Sequence, residues 1–223
     1  MPRPTKRSKS VILVFCEGES EQVYTDFLKK EFGDVAAIRR PASTGLFDEA
    51  DNKFKKDKKY REDPFRVVNF LIEEDGIMRC PNGKKFYLQY RKNVKGNKYG
   101  HQEKVYQWIK VRLLMTTGCI EYWLMLHYDM YAPSIQTVAE KQRVMDRLLA
   151  KEPNYRKGDA AVTAKIAQNY PTAVINARQT VSNLLQQGLP SLEDTDDRNR
   201  WLCQKCLTFS TVYEAIDFLT SLQ

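Results

Sequence analysis

Residues 10–28 predict a β-strand, a glycine turn and an α-helix in immediate succession. Residues 11–16 are apolar and rich in β-branched types, which is typical of a strand buried in a parallel sheet. After Gly18 the pattern changes to helical spacing, with apolar residues at Val23, Tyr24, Phe27 and Leu28. This opening favours an α/β fold.

Three carboxylates, Glu17, Glu19 and Glu21, follow the predicted first strand. In open α/β sheets the functional crevice lies beyond the carboxyl ends of the strands, so these acids are candidates for a metal site. The alternative for Glu19 and Glu21 is that they only complement the dipole of the helix N-terminus. Glu17 precedes the glycine and is too early in the sequence for that role.

The rest of the chain predicts a small, mostly parallel sheet flanked by helices, followed by a helical C-terminal half. We expect further strands near residues 35–38, 86–90 and 111–115, and a helix over 102–114. Helices are predicted at 134–150, 161–168, 171–187 and 211–222. The expected division is a basic flexible tail at residues 1–10, an α/β core at 11–130 and a helical region at 131–223 packed on that core.

The chain of 223 residues carries a formal charge of +8, which suggests an acidic polymer as partner. We find neither a secretory signal nor an apolar stretch of membrane-spanning length, and so expect a cytoplasmic protein without a membrane partner. The five cysteines are scattered, in agreement with that expectation. Cys203 and Cys206 form half of a zinc-ribbon pattern, but helical packing explains the same spacing.

Two segments resemble the RloB-like family, a branch of the TOPRIM nucleases and primases associated with bacterial restriction and anti-phage loci. The run Cys-Glu-Gly-Glu-Ser-Glu at residues 16–21 is similar to the family's opening. The run Cys-Ile-Glu-Tyr-Trp-Leu-Met-Leu-His-Tyr at 119–128 is similar to its Phe-Glu-x-Trp-Leu-Leu-Leu-His-Phe segment. Residues 155–157 and 210–213 resemble two later motifs. The resemblance implies a TOPRIM-like fold and an action on nucleic acid.

The resemblance also implies site residues. Glu17 and Glu121 would be catalytic carboxylates, His127 a general base or phosphate contact, and Glu17, Glu21 and Glu121 the ligands of Mg²⁺ or Mn²⁺. Tyr155 and Lys157 would hold a phosphate at the mouth of the crevice. A histidine on an apolar helix is otherwise most often a core residue bonded to a backbone carbonyl.

The sequence departs from the family where the third predicted strand ends. The family has Asp-x-Asp there, and this chain has Arg91 and Asn93. A guanidinium repels a cation and favours a phosphate. The adjoining basic loop, with Lys92, Lys95 and Lys98, also suits an anion better than a metal.

Two functions follow from this departure. The first is a defence protein that cleaves DNA or RNA with a divalent ion in an altered metal site. The second is a catalytically inactive TOPRIM-like module that binds nucleic acid or a partner protein, for which a partner defence protein or a second copy of the chain is a candidate.

Overall fold

The computed structural model describes residues 9–45, 49, 112, 114–205 and 207–223, together with the backbone of four strands between residues 71 and 110. The chain divides into two compact units. The first contains Met1–Gly45, Leu114–Gln187 and Cys206–Gln223, and the second contains Leu46–Leu113 and Gly188–Lys205. The first unit therefore takes residues from both sides of position 130, where the sequence predicts a boundary.

The first unit opens with a β-α-β arrangement. Strand β1 (Ser10–Leu13) pairs in parallel with β2 (Ala36–Arg39), and helix α1 (Glu19–Glu31) connects them. Helix α1 buries Tyr24, Phe27 and Leu28, as their spacing predicts. A bidentate pair between Arg40, just after β2, and Asp26 of α1 joins helix and strand, with nitrogen to oxygen distances of 3.0 and 2.6 Å. The α/β opening is thus confirmed.

Five further elements of the first unit confirm its helical character. They are α2 (Ile120–Met125), α3 (Val138–Lys151), α4 (Ala160–Ala167), α5 (Tyr170–Asn183) with a 3₁₀ turn at Leu184–Gln187, and α7 (Tyr213–Thr220). Helix α2 is buried along its whole length, and it packs against α3, α4 and α5. It therefore forms the centre of this unit.

The C-terminal segment closes the first unit by pairing with the segment that leads into α2. Thr116 and Ser210 form an isolated antiparallel bridge. The backbone N–H of Thr211 donates to the carbonyl of Met115 at 2.8 Å, and the N–H of Thr117 donates to that of Phe209 at 3.0 Å. Residues 112, 114 and 115 lie outside any strand, so the strand predicted at 111–115 is wrong at these positions.

The second unit contains antiparallel pairs. Strand β3 (Leu71–Ile72) pairs with β4 (Met78–Arg79), and β5 (Tyr87–Asn93) pairs with β6 (Lys104–Lys110). Helix α6 (Asp196–Lys205) also belongs to this unit.

These pairings correct two predictions. In the described part of the chain β1 and β2 form a small parallel sheet, as predicted, while β5 pairs antiparallel with β6, so the predicted third strand does not extend that sheet. The predicted helix at 102–114 is instead β6 over residues 104–110. The apolar spacing of Val105, Trp108 and Ile109 fits a helix, but β-branched and aromatic residues also favour strands, and pairing with β5 decided the outcome.

Among the described residues, no helix combines the length and the apolarity needed to cross a membrane.

Candidate functional site

The turn between β1 and α1 presents carboxylates at a glycine. Glu17 is exposed, and Gly18 is the N-terminal cap of α1 with extended backbone angles. The carboxylate of Glu21 lies back against the turn, where the backbone N–H groups of Gly18 and of Glu21 itself favour its charged form. A Cβ at Gly18 would lie 2.8 Å from Oε2 of Glu21. Glu21 therefore caps its own helix, and glycine leaves room for it to do so.

The second carboxylate of the site, Glu121, is buried at the start of α2. Only 1% of its surface is exposed. The hydroxyl of Tyr155 donates to Oε1 of Glu121 at 3.1 Å, and the thiol of Cys119 lies near enough to the same carboxylate for Glu121 to raise its pKa. A buried carboxylate needs such donors, because desolvation without them is costly.

Hydrogen bonds fix the loop between Glu121 and the strand–helix turn. The backbone N–H of Gly158 donates to Oγ of Ser20 at 3.1 Å, and the Ser20 hydroxyl lowers the pKa of Tyr155 against the larger effect of burial, which raises it. Tyr155 in turn donates to Glu121. The loop at residues 153–159, which we call the 153–159 loop, is thereby fixed to both α1 and α2.

Lys157 of this loop supplies a positive charge. Its Nζ lies 3.7 Å from Oε1 of Glu121, while 67% of its side chain remains exposed. The ammonium group of Lys157 therefore lies beside the buried carboxylate of Glu121, while most of the lysine side chain contacts solvent.

The electrostatics of the site show that the acids act on one another. Burial raises the pKa of Glu21, and the nearby carboxylates of Glu17 and Glu121 raise it further. Three acids from two separate segments are thus close enough to repel. The pKa of Cys119 is raised to about 11, first by burial and then by Glu121, so this thiol is not an activated nucleophile.

His127 lies in the core. It is fully buried, its Nδ1 lies 3.0 Å from the carbonyl oxygen of Trp123, and its Nε2 lies 3.1 Å from the hydroxyl of Tyr24. Because a carbonyl only accepts, Nδ1 carries the proton and Nε2 accepts from Tyr24. Burial lowers the pKa of His127 to about 4. This geometry favours the structural role over the catalytic one.

The predicted anion-binding residues are only partly described. Arg91 and Lys92 lie within β5, and Asn93 is its last residue, so they belong to the strand rather than following it. Lys95 and Lys98 lie outside the described residues, as does Cys206 of the half zinc pattern. Among described residues, no three His, Cys, Asp or Glu side chains are placed to hold a metal ion.

A family model described as RloB-like protein matches residues 12–219. The chain belongs to the RloB-like protein family. No curated protein and no solved structure matches it in our comparisons.

In this RloB-like protein, the sequence predicted Glu21, Glu121, Tyr155 and Lys157 as site candidates but not the contacts between them. Ser20 and Gly158 were missed, although Gly158 has a φ of +75°, a conformation that favours glycine. The glycine after the basic Tyr-Arg-Lys run was the signal that marked a fixed turn there. Such contacts join residues 138 positions apart in the chain, so helical or strand periodicity does not reveal them.

Proposed function

We propose that this RloB-like protein acts on nucleic acid in anti-phage defence, as a TOPRIM-related phosphodiesterase whose site is formed by Glu17, Glu21 and Glu121. The observation that carries the proposal is the grouping of these carboxylates beside a glycine turn, where burial first, and then the charges of Glu17 and Glu121, raise the pKa of Glu21. Carboxylates gathered against their own repulsion are common at catalytic sites and rarer in purely structural ones.

A divalent ion is part of the proposal, and the donor chemistry favours one. Carboxylate oxygens with several negative charges are the ligands of Mg²⁺ and Mn²⁺. The present placement does not fit the ion, because Glu21 caps α1 and Glu121 is held by Tyr155 and Lys157. We propose dependence on Mg²⁺ or Mn²⁺ from the donor types alone, without assigning the ion a position.

A polyanionic substrate is supported by charge. The chain carries +8 overall, and the exposed side chains of Arg156 and Lys157 lie on the loop that covers Glu121. Positive groups beside an acidic site hold phosphate oxygens while the acids act. The substrate is DNA or RNA, and we place the action in the cytoplasm.

A second function is favoured by a specific observation. Lys157 already neutralises Glu121, and Arg91 and Asn93 stand where the family has two acidic residues. A chain with this charge balance is suited to binding without cleavage. In this alternative the protein is an inactive module that binds nucleic acid, a partner defence protein or a second copy of itself.

A cleavage assay separates the two functions. The protein is incubated with DNA, RNA and tRNA in Mg²⁺ or Mn²⁺, beside Glu17→Gln and the control Glu31→Gln, an exposed glutamate at the far end of α1. Cleavage that falls about 100-fold or more in Glu17→Gln and persists in the control supports the enzyme. Glu21→Gln serves as a second variant.

Two results would contradict the enzyme. Cleavage equal in Glu17→Gln and wild type places the site elsewhere. Tight, salt-dependent binding with no cleavage under any ion supports the inactive module instead.

A further inference from the structure

We infer that Lys157 determines which cation neutralises Glu121, because its ammonium group excludes divalent ions from that carboxylate. The inference rests on the proposed place of Glu121 in the site, but it does not require cleavage. Lys157 is then the residue that determines whether its own ammonium group or a divalent ion balances the charge of Glu121.

The pair joins a buried acid to an exposed base. Glu121 is 1% exposed, whereas 67% of the Lys157 side chain is exposed, and Nζ lies 3.7 Å from Oε1. The lysine therefore reaches inward from the surface with its charged end. A carboxylate withdrawn from water gains most from a positive charge placed there, since water no longer screens it.

The position of Lys157 is fixed on both sides in the sequence. Tyr155 is buried, its N–H donates to the carbonyl of Glu152 at 2.9 Å, and its hydroxyl donates to Glu121. Gly158 donates its N–H to Ser20, and its left-handed backbone turns the chain. The loop thereby directs Lys157 towards Glu121 and does not leave the pairing to a free side chain.

A divalent ion at Glu121 would meet two obstacles. Oε1 of Glu121 already accepts from Tyr155 and faces the ammonium of Lys157. A positive charge at that distance also repels the ion directly. Removing the charge of Lys157 should therefore make Glu121 more available to a divalent ion.

The test measures Mn²⁺ binding through the electron paramagnetic resonance signal of the free ion. Lys157→Met keeps most of the side-chain length and removes the charge. Its matched control is Lys165→Met, because Lys165 is 68% exposed and pairs at 2.8 Å with the carboxylate of Glu152, which is not one of the three acids of the proposed site. Thermal unfolding of each variant verifies that the fold is retained.

We expect Lys157→Met to bind Mn²⁺ about fivefold more tightly than wild type, a size typical of the charge of an exposed lysine. The gain should be absent in Lys165→Met and should vanish when Glu121→Gln is added to Lys157→Met. Unchanged or weaker binding in Lys157→Met, or a gain that survives Glu121→Gln, overturns the inference.

The measurement distinguishes a failure of this inference from a failure of the proposed function. A gain in Mn²⁺ binding by a chain that cleaves no nucleic acid supports the role of Lys157 and contradicts the enzyme. Cleavage by a chain whose Mn²⁺ affinity is unchanged in Lys157→Met supports the enzyme and contradicts the role of Lys157.

Discussion

The hydroxyl oxygen of Tyr24 lies 3.1 Å from Nε2 of His127, across 103 positions of sequence. This contact joins α1, whose first turn carries Glu21, to the turn after α2, which carries Glu121 at its start. The ring of Trp123 packs edge-on against both, at centroid distances of 5.8 Å to Tyr24 and 5.0 Å to His127. The neutral imidazole of His127 thus helps to set the distance between α1 and α2.

The first prediction concerns pH. The pKa of His127 is about 4 in the folded chain and 6.5 when unfolded. Between these values the unfolded chain binds more protons, so stability is fully present above pH 6.5 and is lost as the pH falls towards 4. The loss reaches about 3 kcal/mol at the acidic end. Urea unfolding at several pH values measures it.

A variant tests whether His127 is the group that causes this dependence of the unfolding free energy on pH. His127→Gln should flatten the dependence of unfolding free energy on pH between 5 and 6.5, a range above the titration of most carboxylates. His101→Gln, at the other histidine of the sequence, is the control. An undiminished slope in His127→Gln would show that another group titrates there.

The apolar periodicity predicted α1 correctly, because the formation of this helix depends mainly on its local sequence. The spacing of Tyr24, Phe27 and Leu28 gave α1, because burying one face of a helix needs only that pattern. Residues 104–110 were misread, because Val105 and Ile109 lie four apart and fit a helical face as well as a strand. They form a strand by pairing with β5, and a pattern read within residues 104–110 does not show that contact.

The candidate site shows the same limit. The acids after β1 and at the start of α2 were found as residue types. The hydrogen bonds of Gly158 to Ser20 and of Tyr155 to Glu121 join three segments, and no segment alone predicts them.

The second prediction concerns Glu121 and stability. Glu121→Ala removes the acceptor of the Tyr155 hydroxyl and leaves a buried cavity, so we expect a loss of about 2–4 kcal/mol. Glu121→Gln keeps an acceptor oxygen and should cost about 1 kcal/mol. Urea unfolding compares them with Glu31→Ala, an exposed position. Equal costs for Ala and Gln would show that Tyr155 does not depend on this acceptor.

The third prediction concerns the second unit, where the side chain of Arg198 is fully buried. It donates to the carbonyl of Leu192 at 3.1 Å and to the carboxylate of Asp194 at 3.3 Å. Arg198→Met strands these acceptors and should destabilise α6 by about 3–5 kcal/mol. Hydrogen exchange of the α6 amides reports the change.

Arg200 supplies the control for Arg198, because it lies on the same helix and forms an exposed pair with Asp197 at 3.9 Å. Arg200→Met should change stability by less than about 0.5 kcal/mol. Similar protection loss in both variants would mean that Arg198 acts only through the charge of the helix.

The last prediction tests whether Gly18 is required by Glu21. The backbone of Gly18, at φ −134° and ψ 175°, is open to any residue, so an alanine there meets no backbone strain. Its Cβ would instead lie 2.8 Å from Oε2 of Glu21, and the carboxylate would have to leave the N–H groups that it caps. Gly18→Ala should therefore cost about 1 kcal/mol.

That cost should disappear when the carboxylate is absent. In a double-mutant cycle with Glu21→Ala, measured by urea unfolding, we expect a coupling of about 1 kcal/mol between the two positions. The cycle cancels the intrinsic difference between glycine and alanine at a cap, which is present in both backgrounds. If Gly18→Ala costs the same with and without Glu21, the glycine is required by something other than the carboxylate, and the placement of Glu21 in the site loses its support.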